Sequence, residues 1–582
     1  MRLVHVFVEH PILHLDHTFT YRCYDANVKR GVRVQVPFHK TSIIGFVSKV
    51  EEADEQTLAK YPYEIKEITK IIDAEPLINE ELFTLADWMG KTYIAPRIAC
   101  FQCMLPAKLK PSSTHGKIKM ETWVRICKEP TQKLTEKQQA AYEQLERHGC
   151  MRRNTFYQMF KSPGKKLIAY GIVESYEQEA KASLLESEQD EEKTLQPDQK
   201  KAMQKLLHAT QVVSLLHGVT GSGKTEVFLQ LAKKVLETGR QVVLLVPEIA
   251  LTPQMVQRVK ARFGKAVAIY HSALNAQEKY EQYQLVKEHK VQIVVGTRSA
   301  IFMPFDHLGL IILDEEHDTS YKQDATPRYH CRDIAVWRAK YHHAKVVLAS
   351  ATPSLETYAR AHKGIYQLVE MPKRINARFP EMQLVEMRKA VGNSESYLLS
   401  NDLLDAIYER LQKKEQIVLL LNRRGYTPIL RCISCGFVQM CPHCDVAMSY
   451  HKEEQVLKCH TCGHTMSVPA YCPTCGKASW RYLGIGTQKL EEFVQIKFPQ
   501  ARILRMDADT TGKKHAHEDI LKSFGNHEAD ILLGTQMIAK GLDFDNVTLV
   551  GIVNGDAMLN RSDYRSGELT YDLLEQIGRA HV

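Results

Sequence analysis

Between residues 212 and 553 the chain is punctuated by short, unbroken apolar runs: VVSLLHG, QVVLLVP, VQIVVGT, LGLIILDEE, KVVLAS, QIVLLLN, ADILLGT and VTLVGIV. Stretches with helical spacing separate most of them. Continuous apolar strands alternating with helices predict a parallel sheet buried on both faces. The first 105 residues follow another pattern. GVRVQVPF, SIIGFVSKV and IKEITKIID alternate or cluster β-branched residues like short strands, and a helical stretch at 79–93 follows them. Residues 116–180 change again. TEKQQAAYEQLERHG has helical spacing, and KKLIAYGIVESYEQ reads as a helix turning into a strand at Gly171. Helices closed by a β-wing predict a winged helix, with a generic helical spacer as the alternative. The polar, acidic, proline-interrupted SLLESEQDEEKTLQPDQKK marks a boundary, and no solenoid-type repeat is present.

A length of 582 residues corresponds to roughly four domains of about 150 residues. The 44% hydrophobic and 25% charged content allows sizeable cores. A net charge of +9 suits a nucleic-acid partner without demanding one. MRLVHVFVEHPILHLDHTF lacks the basic and apolar regions of a signal peptide, and no apolar run approaches the roughly 18–20 residues needed to span a bilayer. The expectation is a cytoplasmic chain with no membrane partner and with reduced thiols. Its fourteen cysteines then need a role other than disulfides.

GVTGSGKT, Gly218–Thr225, matches G-x-x-x-x-G-K-[ST] and lies between a strand and a helix, the setting a phosphate loop requires. Backbone N–H groups of Gly218, Val219, Thr220, Gly221, Ser222 and Gly223 would cradle phosphates, and the helix end adds favourable partial charge. Lys224 would reach the β/γ-phosphates of ATP and Thr225 would hold Mg²⁺. Ninety residues on, LIILDEEH sets Asp314, Glu315, Glu316 and His317 at the end of an apolar strand. Asp314 would bind Mg²⁺ through its water shell, and Glu315 would orient and deprotonate the attacking water.

With SATPSLET (350–357), these motifs resemble superfamily 2 helicases built from two RecA-like lobes. The resemblance implies that VPEIALTPQ (246–254), YHS (270–272) and GTRSA (296–300), with Thr297 and Arg298, touch DNA backbone. It also implies that Gln199 reads adenine, and that LLLNRRGY (419–426) and LLGTQMIAKGLDF (532–544) are lobe-two motifs. DTSYKQDATPRYHCRDIAVW (318–337), with Tyr321, Tyr329 and Trp337, would be an aromatic loop coupling a DNA base to ATP state. The alternative is a connector whose aromatic residues are simply buried.

Four C-x₂-C pairs follow: Cys432/Cys435, Cys441/Cys444, Cys459/Cys462 and Cys472/Cys475. Each pair presents two thiolates, so four pairs fit two structural, tetrahedral Zn²⁺ ions, with His443, His460 and His464 as spare ligands. Spacing leaves the pairing open. An eight-cysteine module inside a second helicase lobe resembles the bacterial primosomal replication-restart helicases, over essentially the whole chain. That resemblance implies a nested scheme, in which Cys432, Cys435, Cys472 and Cys475 share one ion and Cys441, Cys444, Cys459 and Cys462 share the other. It implies an N-terminal domain that binds the 3′ end of a nascent strand, with Phe19, Tyr21 and Lys66 in the pocket for the terminal nucleotide. Thr20 stands where that pocket usually has aspartate and His39 where glycine is common. A threonine hydroxyl accepts hydrogen bonds more weakly than a carboxylate.

The family implies an ATP-dependent 3′→5′ DNA helicase that recognises stalled or branched forks and initiates restart by primosome assembly. Its partners would be forked and single-stranded DNA, single-stranded DNA-binding protein, and primosome and helicase-loader proteins in a bacterial, nucleoid-associated setting. The alternatives are a fork-binding scaffold without ATP turnover and another superfamily 2 DNA translocase. The expected domains are a β-rich 3′-end-binding domain (1–110), a winged helix (116–182), a linker (183–198), an ATP-binding lobe (199–372) and an incomplete second lobe (373–576) carrying the zinc insertion (430–478). Residues 577–582 are expected to be non-native. The last seven residues, QIGRAHV, translate AGATCGGAAGAGCACACGTC preceded by C, a common sequencing adapter. The family's Q-V-x-G-R-A-G-R motif and C-terminal domain would then continue after Gln576 in the native gene, and Arg579 would not be its arginine finger.

Overall fold

The computed structural model describes all of the chain except residues 55–60, 63, 112–119, 131–133, 180–191, 248–252, 376–380, 388–397, 422–428, 445, 452–453, 460, 484–486, 508–509, 511–515, 536–537, 539–543, 545, 560–562 and 578–582. Residues 183–191 of the expected linker, His460, most of the terminal tail and parts of VPEIALTPQ, LLLNRRGY and LLGTQMIAKGLDF lie outside the described residues.

Alternation near the N-terminus makes a five-stranded antiparallel sheet in the order Phe19–Cys23, Arg2–Val8, Thr41–Glu52, Arg33–Phe38, Lys70–Ile71. Successive side chains point to opposite faces. Val4, Val6 and Val8 therefore share one core with Val34 and Val36, whereas Phe7 and Phe46 face the helices Glu80–Tyr93 and Arg97–Met104, where both meet Phe101. The first of these helices is the one expected at 79–93, and Asn79 caps it by accepting the Leu82 N–H.

Residues 120–179 hold a three-stranded antiparallel sheet, Cys150–Arg152, Met120–Ile126, Val173–Glu179, against the helices Glu136–His148 and Arg153–Ala169. The second helix breaks at Lys161, two residues before Pro163. Gly171 sits at the helix-to-strand turn, as its place in the sequence predicted.

The apolar runs after residue 212 form two parallel sheets. The first has seven strands, in the order Val267–Tyr270, Ile293–Gly296, Gln241–Leu245, Leu308–Asp314, Lys345–Ser350, Val213–Gly218, Gln367–Met371. Its lobe opens with the helix Pro197–Leu207, so the expected boundary at 199 falls inside the first turn. The second sheet has four strands, Ile503–Met506, Ile531–Gly534, Gln416–Leu421, Val547–Val553. Between Gln416–Leu421 and Ile503–Met506 the chain leaves to build a five-stranded antiparallel sheet carrying the cysteines. That sheet takes in Trp480–Leu483, beyond the expected boundary at 478.

The N-terminal helices and the first lobe share one hydrophobic core, in which Phe83, Phe101 and Leu109 join Tyr283, Phe302 and Ile334. Within it Arg338, fully buried, donates to both Glu81 carboxylate oxygens at 2.6 and 2.9 Å and to the Ile301 and Met303 carbonyls. His342 stands 3.0 Å from the same carboxylate.

Candidate active site and cysteine clusters

Strand Val213–Gly218 runs into a loop that turns at Gly221 and Gly223 before the helix Lys224–Leu236 begins. Gly223 has φ +78°, a left-handed conformation that favours glycine, and a Cβ there would displace the Gln199 amide, whose Nε2 would lie 2.2 Å away. The Lys224 ammonium folds back over the loop and donates to the Gly218 carbonyl at 2.7 Å and the Val219 carbonyl at 3.4 Å. The Thr220 and Ser222 hydroxyls are buried with no protein partner among the described residues. Buried polar atoms nearly always have one. Two orphan hydroxyls and a lysine beside a helix N-terminus therefore fit a phosphate-bearing ligand. Gln199 is buried, accepts the Gln196 N–H at 2.8 Å and donates to the Ser222 carbonyl at 3.0 Å, which ties its helix to the loop.

Asp314 ends a strand separated from the loop-bearing strand only by Lys345–Ser350, so the acidic residues and the phosphate loop share the carboxyl edge of one sheet. Asp314 Oδ1 accepts the Glu315 N–H at 3.0 Å. Glu315 has φ +46°, a left-handed conformation that costs a non-glycine residue energy and recurs at functional sites. His317 Nδ1 meets the Ser350 Oγ at 2.8 Å, joining this strand end to the next.

Glu316 received no role from sequence. It is buried, accepts the Ser354 N–H at 2.7 Å and the Ser354 and Thr357 hydroxyls at 3.2 and 3.0 Å, and lies 3.6 Å from Arg332. Burial pushes its carboxyl pKa up, and Arg332 together with these donors pulls it part of the way back. The only signal in the sequence was an acidic residue beside Glu315.

In the antiparallel module two quartets form: Cys432, Cys435, Cys472, Cys475, and Cys441, Cys444, Cys459, Cys462, each with its Sγ atoms within 4.8 Å of one another. None of the fourteen cysteines is in a disulfide. Gly436, Gly463 and Gly476 donate their N–H groups back to Cys432, Cys459 and Cys472, folding three of the pairs into tight knuckles. Backbone N–H donation, led by that of Cys462, lowers the Cys459 thiol pKa, while burial raises that of Cys441 and the hydrogen bond with Cys462 raises that of Cys444. The quartets follow the nested scheme. His443 and His464 face each other with ring centres 4.8 Å apart and belong to neither quartet.

Comparison with known proteins matches this chain to four family models. They are DEAD/DEAH box helicase (residues 196–361), 3'DNA-binding domain (5–106), PriA DNA helicase Cys-rich region domain (441–466) and Helicase conserved C-terminal domain (479–581). The Replication restart protein PriA of Bacillus subtilis (strain 168) is 39% identical over 663 residues, covering 100% of this chain and 82% of that protein. The chain belongs to the PriA family. The PriA of Haemophilus influenzae is 35% identical over 600 residues, covering 100% of this chain and 80% of the relative. That of Synechocystis sp. is 46% identical over 400 residues, covering 66% and 48%. As a PriA-family chain it is a superfamily 2 helicase and ATPase of replication restart, with a DNA-binding domain and a cysteine-rich zinc module.

In the PriA 3′ DNA-binding domain, Phe19 packs edge-on against Phe38, with ring centres 5.2 Å apart. Tyr21 is 5% exposed and donates its hydroxyl to the Pro37 carbonyl. Burial lifts its pKa to about 12. Lys66 is exposed, and its carbonyl accepts the Arg22 N–H on the strand that bears Tyr21. Thr20 Oγ1 contacts His5 Nδ1 at 3.2 Å, and His39 occupies a two-residue turn with φ +51°. Thr297 is buried at the start of a short helical turn, and Arg298 donates to the Ser320 and Lys322 carbonyls at 2.9 and 2.5 Å, bracing the following loop. That loop corrects one expectation. Tyr321 and Tyr329 are buried in the lobe core, and Tyr321 donates to the Asp314 carbonyl at 2.7 Å, so neither ring is open to stack on a base. The apolar demand of the lobe claims both rings, whereas Trp337 is only partly buried and stacks on Tyr341.

Proposed function

We propose that this chain hydrolyses ATP at the loop Gly218–Thr225, and that the turnover drives 3′→5′ translocation on DNA at abandoned forks. The observation that carries the reading is the pair of orphan hydroxyls, Thr220 and Ser222, in a lysine-capped glycine loop on the same sheet edge as Asp314 and Glu315. Lys224 would neutralise charge on the β/γ-phosphates, and Thr225 with Asp314 would hold Mg²⁺, which supplies further charge neutralisation when bound. Glu315 would orient the attacking water and accept its proton. Gln199 would bound the adenine end of the site.

Phe19, Tyr21 and Lys66 would form the 3′-end pocket, with Tyr21, buried and hydrogen-bonded to the Pro37 carbonyl, shaping its wall from within. Arg298 would act on DNA through the loop it braces, and Thr297 from the turn it begins. Each cysteine quartet would hold one Zn²⁺, giving a rigid platform for strand separation and for docking single-stranded DNA-binding protein and helicase loaders. No helix among the described residues is long and apolar enough to cross a membrane, and the proposed setting is the cytoplasm, at the nucleoid.

Lys224→Ala tests the reading. The variant is expected to lose ATPase and unwinding at least about 100-fold while binding forked DNA with unchanged affinity. Restart activity that survives without turnover would make the chain a scaffold instead.

A further inference from the structure

The phosphate loop accounts for one end of a nucleotide, and Gln199, whose amide accepts the Gln196 N–H and donates to the Ser222 carbonyl, offers at most an edge contact to the other. The chain returns to this place after its seventh strand. Met371, the last residue of Gln367–Met371, pairs with Gly218, and its carbonyl accepts the Val219 N–H at 3.1 Å. Four residues later Ile375 donates its N–H to the Gly221 carbonyl at 2.9 Å. Residues 371–375 are thus a strap hydrogen-bonded along the flank of the loop opposite Asp314, because Gln367–Met371 and Lys345–Ser350 lie on either side of the loop-bearing strand.

Two strap side chains meet the loop at its glycines. Ile375 Cδ1 lies 2.9 Å from the point a Cβ on Gly223 would occupy, and Gln199 Nε2 lies 2.2 Å from that same point. An amide and an isoleucine therefore converge on one spot. Arg374 runs its aliphatic stem past Gly221, with Cγ and Cδ 3.9 Å from the corresponding Cβ position. Ile375 is 56% exposed, an apolar side chain left in solvent beside the phosphate loop. A purine combines a hydrogen-bonding edge with two apolar faces, and ligand sites pair a few polar groups with apolar walls in this way.

We propose that this strap is the base wall of the nucleotide site. Ile375 packs on a face of the purine ring beside Gln199, and Arg374, whose stem runs past Gly221, brings a second positive charge to the phosphate loop. The proposal rests on the ATP site described above. An apolar face contact adds affinity for any purine nucleotide and nothing for a phosphate chain that lacks a base, whereas a guanidinium adds affinity for both.

Calorimetric titration of the full chain with ADP and, separately, with inorganic pyrophosphate tests this. Ile375→Ala is expected to weaken ADP binding about tenfold and to leave pyrophosphate within about twofold, raising the KM for ATP without lowering kcat. Ile375→Leu restores ADP affinity, and Arg374→Ala weakens both ligands. Unchanged ADP affinity in Ile375→Ala overturns the base wall, and so does an equal loss for ADP and pyrophosphate, which would mean a distorted loop. If Arg374→Ala leaves pyrophosphate binding intact, the phosphate role of Arg374 falls. If the wild-type chain binds neither ligand, the nucleotide site itself falls, and the strap with it.

Discussion

Glu316 shows how a single carboxylate can support chemistry that its neighbours perform. It is fully ringed by donors from Ser354, Thr357 and Arg332, and so pins the residue next to Glu315 to the start of the helix Leu355–His362. Removing one member of a buried charged pair leaves the other unsatisfied, which costs about 3–5 kcal/mol. Glu316→Ala should therefore lower the stability of the first lobe by about that amount, measured by urea unfolding, while Glu316→Gln, which keeps an acceptor, should cost less. Glu81 lends itself to a pH experiment. Burial would raise its carboxyl pKa, but the Arg338 charge and the hydrogen bonds from His342 and Arg338 override that and lower it to about 2. A depressed carboxyl pKa stabilises the folded chain at pH values above the unfolded pKa near 4.5, and that contribution is lost as pH falls through about 2. Acid unfolding should show a loss of about 3 kcal/mol over that window, absent in Glu81→Gln.

At the scale of elements, the cysteine module has little apolar material of its own. Leu430, Met448 and Leu457 are its principal buried aliphatic and thioether side chains, and the cysteines complete the cluster. A core this small needs metal to fold. Metal analysis of the purified chain should give two zinc ions per chain. Cys441→Ser should remove one and spare the other, because the quartets share no ligand. Loss of both ions from that single change would refute independent sites.

For the whole molecule, the decisive feature is the core shared by the DNA-binding domain and the first lobe. Phe101 and Leu109 sit in one apolar cluster with Tyr283 and Phe302, and the Glu81–Arg338 pair is buried inside it. A lobe cut free at its sequence boundary would expose that face and leave Arg338 unpaired. A fragment spanning 196–372 should therefore aggregate or melt well below the full chain, whereas a chain lacking residues 116–182, whose own core is separate, should retain first-lobe stability. Thermal unfolding of both fragments checks this. The shared core ties the DNA-binding domain to the ATPase lobe.

The phosphate loop, DEEH and the four C-x₂-C pairs were legible in the sequence because each concentrates its chemistry within a few consecutive residues. The long apolar runs were legible because a buried parallel strand must be apolar throughout. Short strands such as Val267–Tyr270 and Gln367–Met371 carry too few residues to show a clear period, and Arg2–Val8, an interior strand of its sheet, resembles a leader segment in its position at the N-terminus. What only the tertiary structure decided is long-range: that Glu81 meets Arg338 across 257 residues, that Tyr21, Tyr321 and Tyr329 spend their rings on packing, and that Arg374 and Ile375 return to the loop. A residue's type states what it can bind, but whether it faces a ligand or a core depends on which distant surfaces the fold brings against it, and that is settled by burial competing across the whole chain.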